Sequence, residues 1–539
     1  MPAEEKLHLA CLRWVRTSCY LELAADTPYY LSDEFWLAPT SGTSTAFRLT
    51  GTYIESDHCL RFRPLLGQNN KPICPGSYEF LVVREGKQLR ITVPQSVQFV
   101  PAQIGQSSEV SSLAYIQVAS SYFVIPNCVE GKLTLTIEAK GFPADFKFHP
   151  RKRLKAAKKA LKRAREDRLV IAFYNFCRKH CRYRENKILF TSDNREELGG
   201  NLSALYMRMD KRGLFTQYQS VFSFQPQRGG RSLSNRLSLA YHLATSKFIF
   251  CDDHQPFLYH INYDKRTQLV QLWHACGTFK TIGHGRIGTL EVQSPFSLNH
   301  SSYTAVTVAA EQDIPVYAEA FGIPDERVHA WGIPRHDELL DVEWQQQKRA
   351  EFAKKFPAAA GKKVVVFAPT FRGTGKGRAY YDFSQLDIRA IARCCRKNNL
   401  FFIFKMHPLV TTSLSIPQDC VDVCVDGSTI REVNDLLPSA DVLISDYSSV
   451  VYEAALLNIP TLYFAYDLES YMASRSLYQP FKDFVSGKIV TSCSELLQAL
   501  ANEDYDQERL KSFRQKNFAH LKGGACDRII DAVIKPTLL

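Results

Sequence analysis

The sequence predicts an α/β protein: two doubly wound parallel-sheet domains facing each other, preceded by a β-rich region and a basic amphipathic helix. Three observations predict it. Short apolar strand-like runs alternate with helical stretches from Ile188 onward, the pattern of parallel sheets. The alternation comes in two consecutive sets of about 160 residues, close to one domain each. Hydrophobic residues make up 45% and charged residues 23% of the 539, which excludes disorder, collagen and a small disulfide scaffold.

Residues 1–148 form the β-rich, sandwich-like part. Two strand-like runs flank the turn signal Arg84-Glu85-Gly86-Lys87, and Leu133-Thr134-Leu135-Thr136-Ile137 alternates with period two, as a half-buried strand does. No catalytic constellation stands out there, so this part is expected to be a scaffold or interaction module. Fifteen cysteines without a CxxC pair fit reduced thiols, not a zinc site. The N-terminus lacks the basic and long apolar regions of a secretory signal. No apolar run approaches the roughly 18 residues of a membrane span. These features predict a cytoplasmic protein.

Residues 149–187 carry the charge. Arg151 to Lys187 holds 15 Lys/Arg and 3 Asp/Glu, a balance of +12, while the rest of the chain holds 52 of each. Leu154, Ala157, Leu161 and Ala164 recur at helical spacing among the cations, and Leu169, Ala172, Phe173 and Phe176 follow. A basic amphipathic helix suits an anionic membrane surface, at roughly 1 kcal/mol per cation. The neutral remainder offers no nucleic-acid module.

Residues 188–345 supply the first α/β set and 346–539 the second, joined around Trp331-Gly332-Ile333-Pro334-Arg335. Ligands in such sheets bind beyond the carboxyl ends of the strands, and the motifs lie there. Gln271-Leu272-Trp273-His274 ends one strand and a Gly-containing turn leads to Lys280. A histidine titrates near neutrality and can take a hydroxyl proton. In the second set, Ala368-Pro369-Thr370-Phe371-Arg372 offers a hydroxyl and a guanidinium, and Phe404-Lys405-Met406-His407 a cation and an imidazole. Ser448 and Ser449 stand at the start of a helix, where backbone N–H groups favour phosphate. Together these make a diphosphate site facing His274, the equipment of a phosphoryl or glycosyl transferase with a nucleotide donor. Without a GxxxxGK[ST] loop, and with no GxGxxG directly after a strand-like run, P-loop kinase and dehydrogenase readings fall away.

These segments, in this order, resemble the CDP-glycerol glycerophosphotransferase family, the teichoic acid primases and polymerases. The resemblance runs from about 186 to 535. It includes Ser445-Asp446-Tyr447-Ser448-Ser449 and Ala465-Tyr466-Asp467-Leu468. Gly332-Ile333-Pro334-Arg335-His336-Asp337 is similar to the family's Gly-x-Pro-Arg-x-Asp, and Gly200-Asn201-Leu202-Ser203-Ala204-Leu205-Tyr206 to its Gly-Asn-Pro-x-Ala-Leu-Tyr. Trp273-His274-Ala275-Cys276-Gly277-Thr278-Phe279-Lys280 has one residue more before the lysine than many glycerol enzymes, which is similar to the ribitol-phosphate branch. Arg475-Ser476-Leu477-Tyr478 stands where the family has Arg-Gly-Phe-Tyr.

The resemblance implies a GT-B fold at the cytoplasmic face of the membrane and a CDP-ribitol or CDP-glycerol donor. The acceptor would be a lipid-linked polyol phosphate of a teichoic-acid-like or capsule polymer. His274 would be the general base. His407 would share the catalytic step and, with Thr370, Arg372, Lys405, Ser448 and Ser449, hold the donor. Glu453 would reach a donor hydroxyl, and Lys280 and Asn201 would lie on the acceptor side. No metal or other cofactor is expected, and residues 151–187 would hold the anionic inner leaflet. Two other readings stay open: a GT-B glycosyltransferase using a nucleotide sugar, and a non-catalytic membrane adaptor.

Overall fold

The computed structural model describes residues 7–535 except 26, 28–29, 31–32, 41–45, 50, 55–57, 67–72, 94–96, 101–112, 117–120, 141–149, 226–229, 288–292, 296, 374–378, 411–413, 431 and 475–476. Thus Arg475 and Ser476 of the Arg475–Tyr478 motif, and the side chains of 151–164, lie outside the described residues.

Strands between Leu7 and Lys140 form one largely antiparallel sheet system. Gly76–Arg84 and Lys87–Thr92 pair across the Glu85-Gly86 turn. Residues such as Leu7, Leu9 and Leu12 enter a core that Leu133, Leu135 and Ile137 share.

The helix Pro150–His180 follows. Val170, Tyr174 and Cys177 are buried, packed in one core with Leu239, Ala240 and Leu243 of the helix Leu233–Thr245. Leu169 and Phe176 are 52% and 57% exposed. At roughly 100° per residue, these two fall about 105–130° from the centre of the buried three, towards exposed Ala172. The expected single apolar stripe is therefore corrected. Among the described residues of the helix, the apolar ones divide between a packed face and an exposed flank. The segment is also shorter than expected, because Arg184–Ser192 is a strand. Lys187 belongs to that strand, not to a membrane-facing surface. It is buried, and its Nζ donates to Thr245 Oγ1 at 2.7 Å. Burial, with Arg184 nearby, pulls its pKa down to about 8.

Two six-stranded sheets carry the remainder, and neighbouring strands in both run parallel. The first centres on Arg184–Ser192, Ser246–Cys251 and Gln268–Gln271. The second centres on Lys363–Phe367, Leu400–Phe404 and Val442–Ser445. These central strands are the continuous apolar runs, as burial on both faces demands. The edge strands Gln219–Phe224 and Lys488–Val490 are more polar.

The C-terminal boundary differs from the expected 346–539 unit. The helix Ala525–Val533 returns to the first sheet, where Cys526, Ile529, Ile530 and Val533 pack with Ile188, Phe190 and Leu202. Its burial there is fixed by Asp337, whose carboxylate accepts from the amides of Ala525 (2.9 Å) and Cys526 (2.8 Å). A carboxylate at a helix N-terminus satisfies otherwise unpaired donors. That is the work of the last residue of the Gly332–Asp337 motif.

Candidate active site

The strand Gln268–Gln271 gives way to Trp273, which has a left-handed backbone (φ 52°). Such a conformation in an aromatic residue must be held by its surroundings. Three hydrogen bonds hold it. Gln271 Oε1 accepts from the Trp273 amide at 2.8 Å. Asn201 Nδ2 donates to the carbonyls of Leu272 (3.2 Å) and Trp273 (2.6 Å). Asn201 is 2% exposed, and its Oδ1 accepts from the Arg335 amide. Its expected acceptor-side role is corrected: it fixes the turn that presents His274.

His274 is 43% exposed on its side chain. Its Nδ1 lies 3.3 Å from the Asp252 carbonyl and 3.4 Å from Asp253 Oδ1. Both neighbours accept, so the Nδ1 of the neutral ring carries the proton and Nε2 keeps its lone pair. Sequence reasoning misses Asp253. Its signal is the Asp252-Asp253 pair directly after the strand Ser246–Cys251.

In the second domain, His407 has the opposite tautomer. Its Nδ1 accepts from the Leu409 amide at 3.1 Å, which leaves the proton on Nε2 as a donor. Burial, then Lys405, then Lys280 hold its pKa below the ordinary value. Lys405 is nearly buried, with Nζ donating to the Met406 carbonyl at 3.0 Å. Burial lowers its pKa, against the pull of Glu432 and Asp426. Glu432 also lies 3.7 Å from Arg195, which bonds Asp252 at 2.8 Å. This Asp252–Arg195–Glu432 chain ties the His274 loop to the second domain, near enough to Lys405 for the Glu432 charge to act on it.

Arg372 stands differently from expectation. It is 8% exposed and grips Asp467 with two bonds of 2.6 and 2.7 Å. A third, of 2.9 Å, reaches Asp446. Burial opposes its charge, but Asp467 and Asp446 raise its pKa above the ordinary value. Another Nη1 donor goes to the Thr370 carbonyl at 2.5 Å, so four of its donors are engaged by Asp467, Asp446 and Thr370 rather than presented to a diphosphate. Asp446 in turn accepts from the Thr370 amide at 2.7 Å, so the cluster shapes the Thr370 loop. The Thr370 hydroxyl is buried without a hydrogen-bond partner among the described residues. Ser448 and Ser449 are half-buried and precede the helix Val450–Leu456.

Glu453 is corrected as well. It is 1% exposed and paired with Arg335 of the first domain, with His336 Nε2 at 3.8 Å. Burial pushes its carboxyl up, but Arg335 and His336 bring it down to about 2. Its Oε1 joins the two domains, a structural role that the sequence did not show. Lys280 pairs through its backbone with Leu477, and its Nζ lies 5.9 Å from the Tyr471 ring centroid. The turn between His274 and Lys280 needs Gly277. Its φ is 66°, and a Cβ there would stand 2.1 Å from the Tyr452 ring.

The chain is 42% identical over 348 residues to the teichoic acid ribitol-phosphate polymerase TarL of Staphylococcus aureus (strain NCTC 8325 / PS 47), covering 64% of this chain and 62% of that one. It is 40% identical over 353 residues to a teichoic acid poly(ribitol-phosphate) polymerase of Bacillus spizizenii (strain ATCC 23059 / NRRL B-14472 / W23), covering 66% and 57%. The chain thus matches less than two thirds of the length of these relatives. The solved structure of the wall teichoic acid polymerase TagF shares the fold, with a TM-score of 0.59 at 22% identity, covering 72% of this chain and 97% of that one. Residues 172–535 match the CDP-glycerol:poly(glycerophosphate) glycerophosphotransferase model, more than half the sequence, and the chain belongs to that family.

Proposed function

We propose that the protein transfers an alditol phosphate, ribitol phosphate ahead of glycerol phosphate, from a CDP-alditol to a hydroxyl of a lipid-linked polyol-phosphate acceptor. The observation that carries this is a pair of histidines with opposite tautomers, each just past a strand end, one in each α/β domain. The acceptor hydroxyl attacks the alditol-side phosphorus. His274 Nε2 takes its proton, while Nδ1–H faces Asp253 and the Asp252 carbonyl. The phosphoanhydride bond breaks, CMP leaves with the bond electrons, and a phosphodiester forms. Lys405 and the Nε2–H of His407 neutralise charge on the donor phosphates, and Thr370, Ser448 and Ser449 supply hydroxyls. Such positioning and charge stabilisation carry most phosphoryl-transfer catalysis. Arg372 acts by holding Asp446 and Asp467, and the Lys280 charge helps keep the His407 pKa low. No metal is assigned a role, so a chelator should leave the rate within about twofold.

Ribitol is favoured because polymerases named for ribitol phosphate are 40–42% identical, whereas relatives named for glycerol phosphate are 23–26% identical. The test is CMP release from CDP-ribitol and CDP-glycerol, separately, with a lipid-linked glycerol-phosphate primer. Release from CDP-ribitol alone is expected. Release from neither, with turnover of a nucleotide sugar, would replace this reading.

The protein is proposed to sit on the cytoplasmic membrane face through the helix Pro150–His180. Exposed Leu169 and Phe176, flanked by exposed Arg165, Arg168, Arg178 and Lys179, support it. Among the described residues no helix is long and apolar enough to cross a membrane. Replacing five or more of the cations in 151–180 with Gln should release the protein from anionic liposomes. Unchanged sedimentation would sink the membrane role.

A further inference from the structure

The N-terminal strands lie outside the family match, yet they touch both α/β domains. Their anchorage on the first domain is broad. Arg61 and Arg63 both pair with Asp325, and Arg63 also donates to the Ile323 and Pro315 carbonyls. The Thr17 amide donates to Glu319 Oε1 at 3.2 Å. Ile287, from the first domain, is buried within the N-terminal core.

One side chain goes further. Arg16 forms the tip of the hairpin joining Leu7–Val15 to Ser18–Leu23 and has a left-handed backbone (φ 56°). Its Nη1 donates to the Gly285 carbonyl of the first domain at 3.0 Å. Its Nη2 donates to the Leu477 carbonyl of the second at 2.8 Å. The guanidinium carbon lies 4.3 Å from the Tyr478 ring centroid. A planar fork with several donors can bridge two carbonyls and stack on a ring at once, and an ammonium cannot.

The two segments that Arg16 joins are already stitched together. Lys280 pairs with Leu477 through the backbone. The Tyr478 amide donates to the Phe279 carbonyl at 3.1 Å, and the Ile282 amide to the Tyr478 hydroxyl at 3.3 Å.

We infer that Arg16 is a positioning residue: the N-terminal hairpin, anchored on the first domain, braces it against the second and fixes the Lys280 segment that follows the His274 turn. This makes the N-terminal region a structural part of the catalytic cleft. The inference rests on the proposed transferase reading only for its effect on rate. A displacement of about 1 Å at such a site costs on the order of 10²-fold in rate.

The test combines hydrogen–deuterium exchange with CMP release, on the full chain, for Arg16→Ala, Arg16→Lys and the control Arg13→Ala. Arg13 pairs with Glu22 inside the same hairpin, away from both carbonyls. In Arg16→Ala, exchange across 279–287 and 477–481 should rise on the order of tenfold, while the strand Leu7–Val15 keeps its protection. The kcat for CMP release should fall about tenfold or more with donor KM within about twofold. Arg16→Lys should fall between Arg16→Ala and wild type, and Arg13→Ala should match wild type. Exchange unchanged in Arg16→Ala would overturn the brace. Raised exchange with an unchanged rate would overturn the positioning role. Wild-type protein that releases no CMP from either donor would overturn the transferase reading, while the exchange comparison would still decide the brace.

Discussion

Replacing Glu453 with Gln separates two roles for one carboxylate. Its place near a helix start at the cleft suggests a donor contact, but the structure pairs it with Arg335 and His336 across the domain junction. It is 1% exposed, and the Arg335 side chain is 18% exposed. Removing the charge leaves the guanidinium in a low-dielectric site without its partner, which costs about 3–5 kcal/mol. A cooperative unit of 150–250 residues loses roughly 2–4 °C per kcal/mol, so a fall of about 10 °C is expected. Differential scanning calorimetry reads this directly. The double variant Arg335→Met with Glu453→Leu should recover most of the loss, because the buried charge goes with its partner. Donor KM, measured well below the transition, should stay within about twofold. A melting temperature within about 2 °C of wild type, with donor KM raised about tenfold, would refute the ion-pair account and restore the donor contact.

Three further outcomes follow from the same geometry. Arg372→Lys should lower both melting temperature and kcat/KM, since an ammonium cannot hold Asp467 through two bonds and Asp446 through a third; calorimetry with CMP release checks it. Gly277→Ala should destabilise by about 2 kcal/mol or more in chemical denaturation, because both φ and the Tyr452 ring oppose a Cβ. His284 is 3% exposed, and burial holds its pKa at about 4. The unfolded chain takes up a proton near pH 6.5 that the folded chain refuses until about pH 4. Stability from this residue is therefore complete above pH 6.5 and lost between 6.5 and 4, by about 3 kcal/mol. The fall in melting temperature over that range should be shallower in His284→Asn.

Much of the fold was legible because the buried central strands are unbroken apolar runs, such as Val364-Val365-Val366-Phe367 and Leu400-Phe401-Phe402-Ile403-Phe404. Edge strands such as Gln219–Phe224 were not, since half-exposed residues dilute the pattern. The return of Ala525–Val533 to the first sheet was hidden, because an amphipathic helix does not state which sheet it covers. At the site, strand ends named His274, Lys405 and His407. They could not reveal that the Arg372 donors are engaged by Asp446 and Asp467, which come from distant strand ends. Nor could sequence order show that Glu453 meets Arg335, 118 positions earlier. Asn201 was found through its motif, but its buried bonds to the Trp273 turn depend on three-dimensional placement.

The most direct test of the central claim is CMP release from CDP-ribitol by wild type and His274→Ala, each with its melting temperature. The account predicts a loss of about 10²–10⁴-fold in kcat, as for removal of a general base, with the melting temperature nearly unchanged because the ring is 43% exposed. A rate within about threefold of wild type in a folded variant would contradict it.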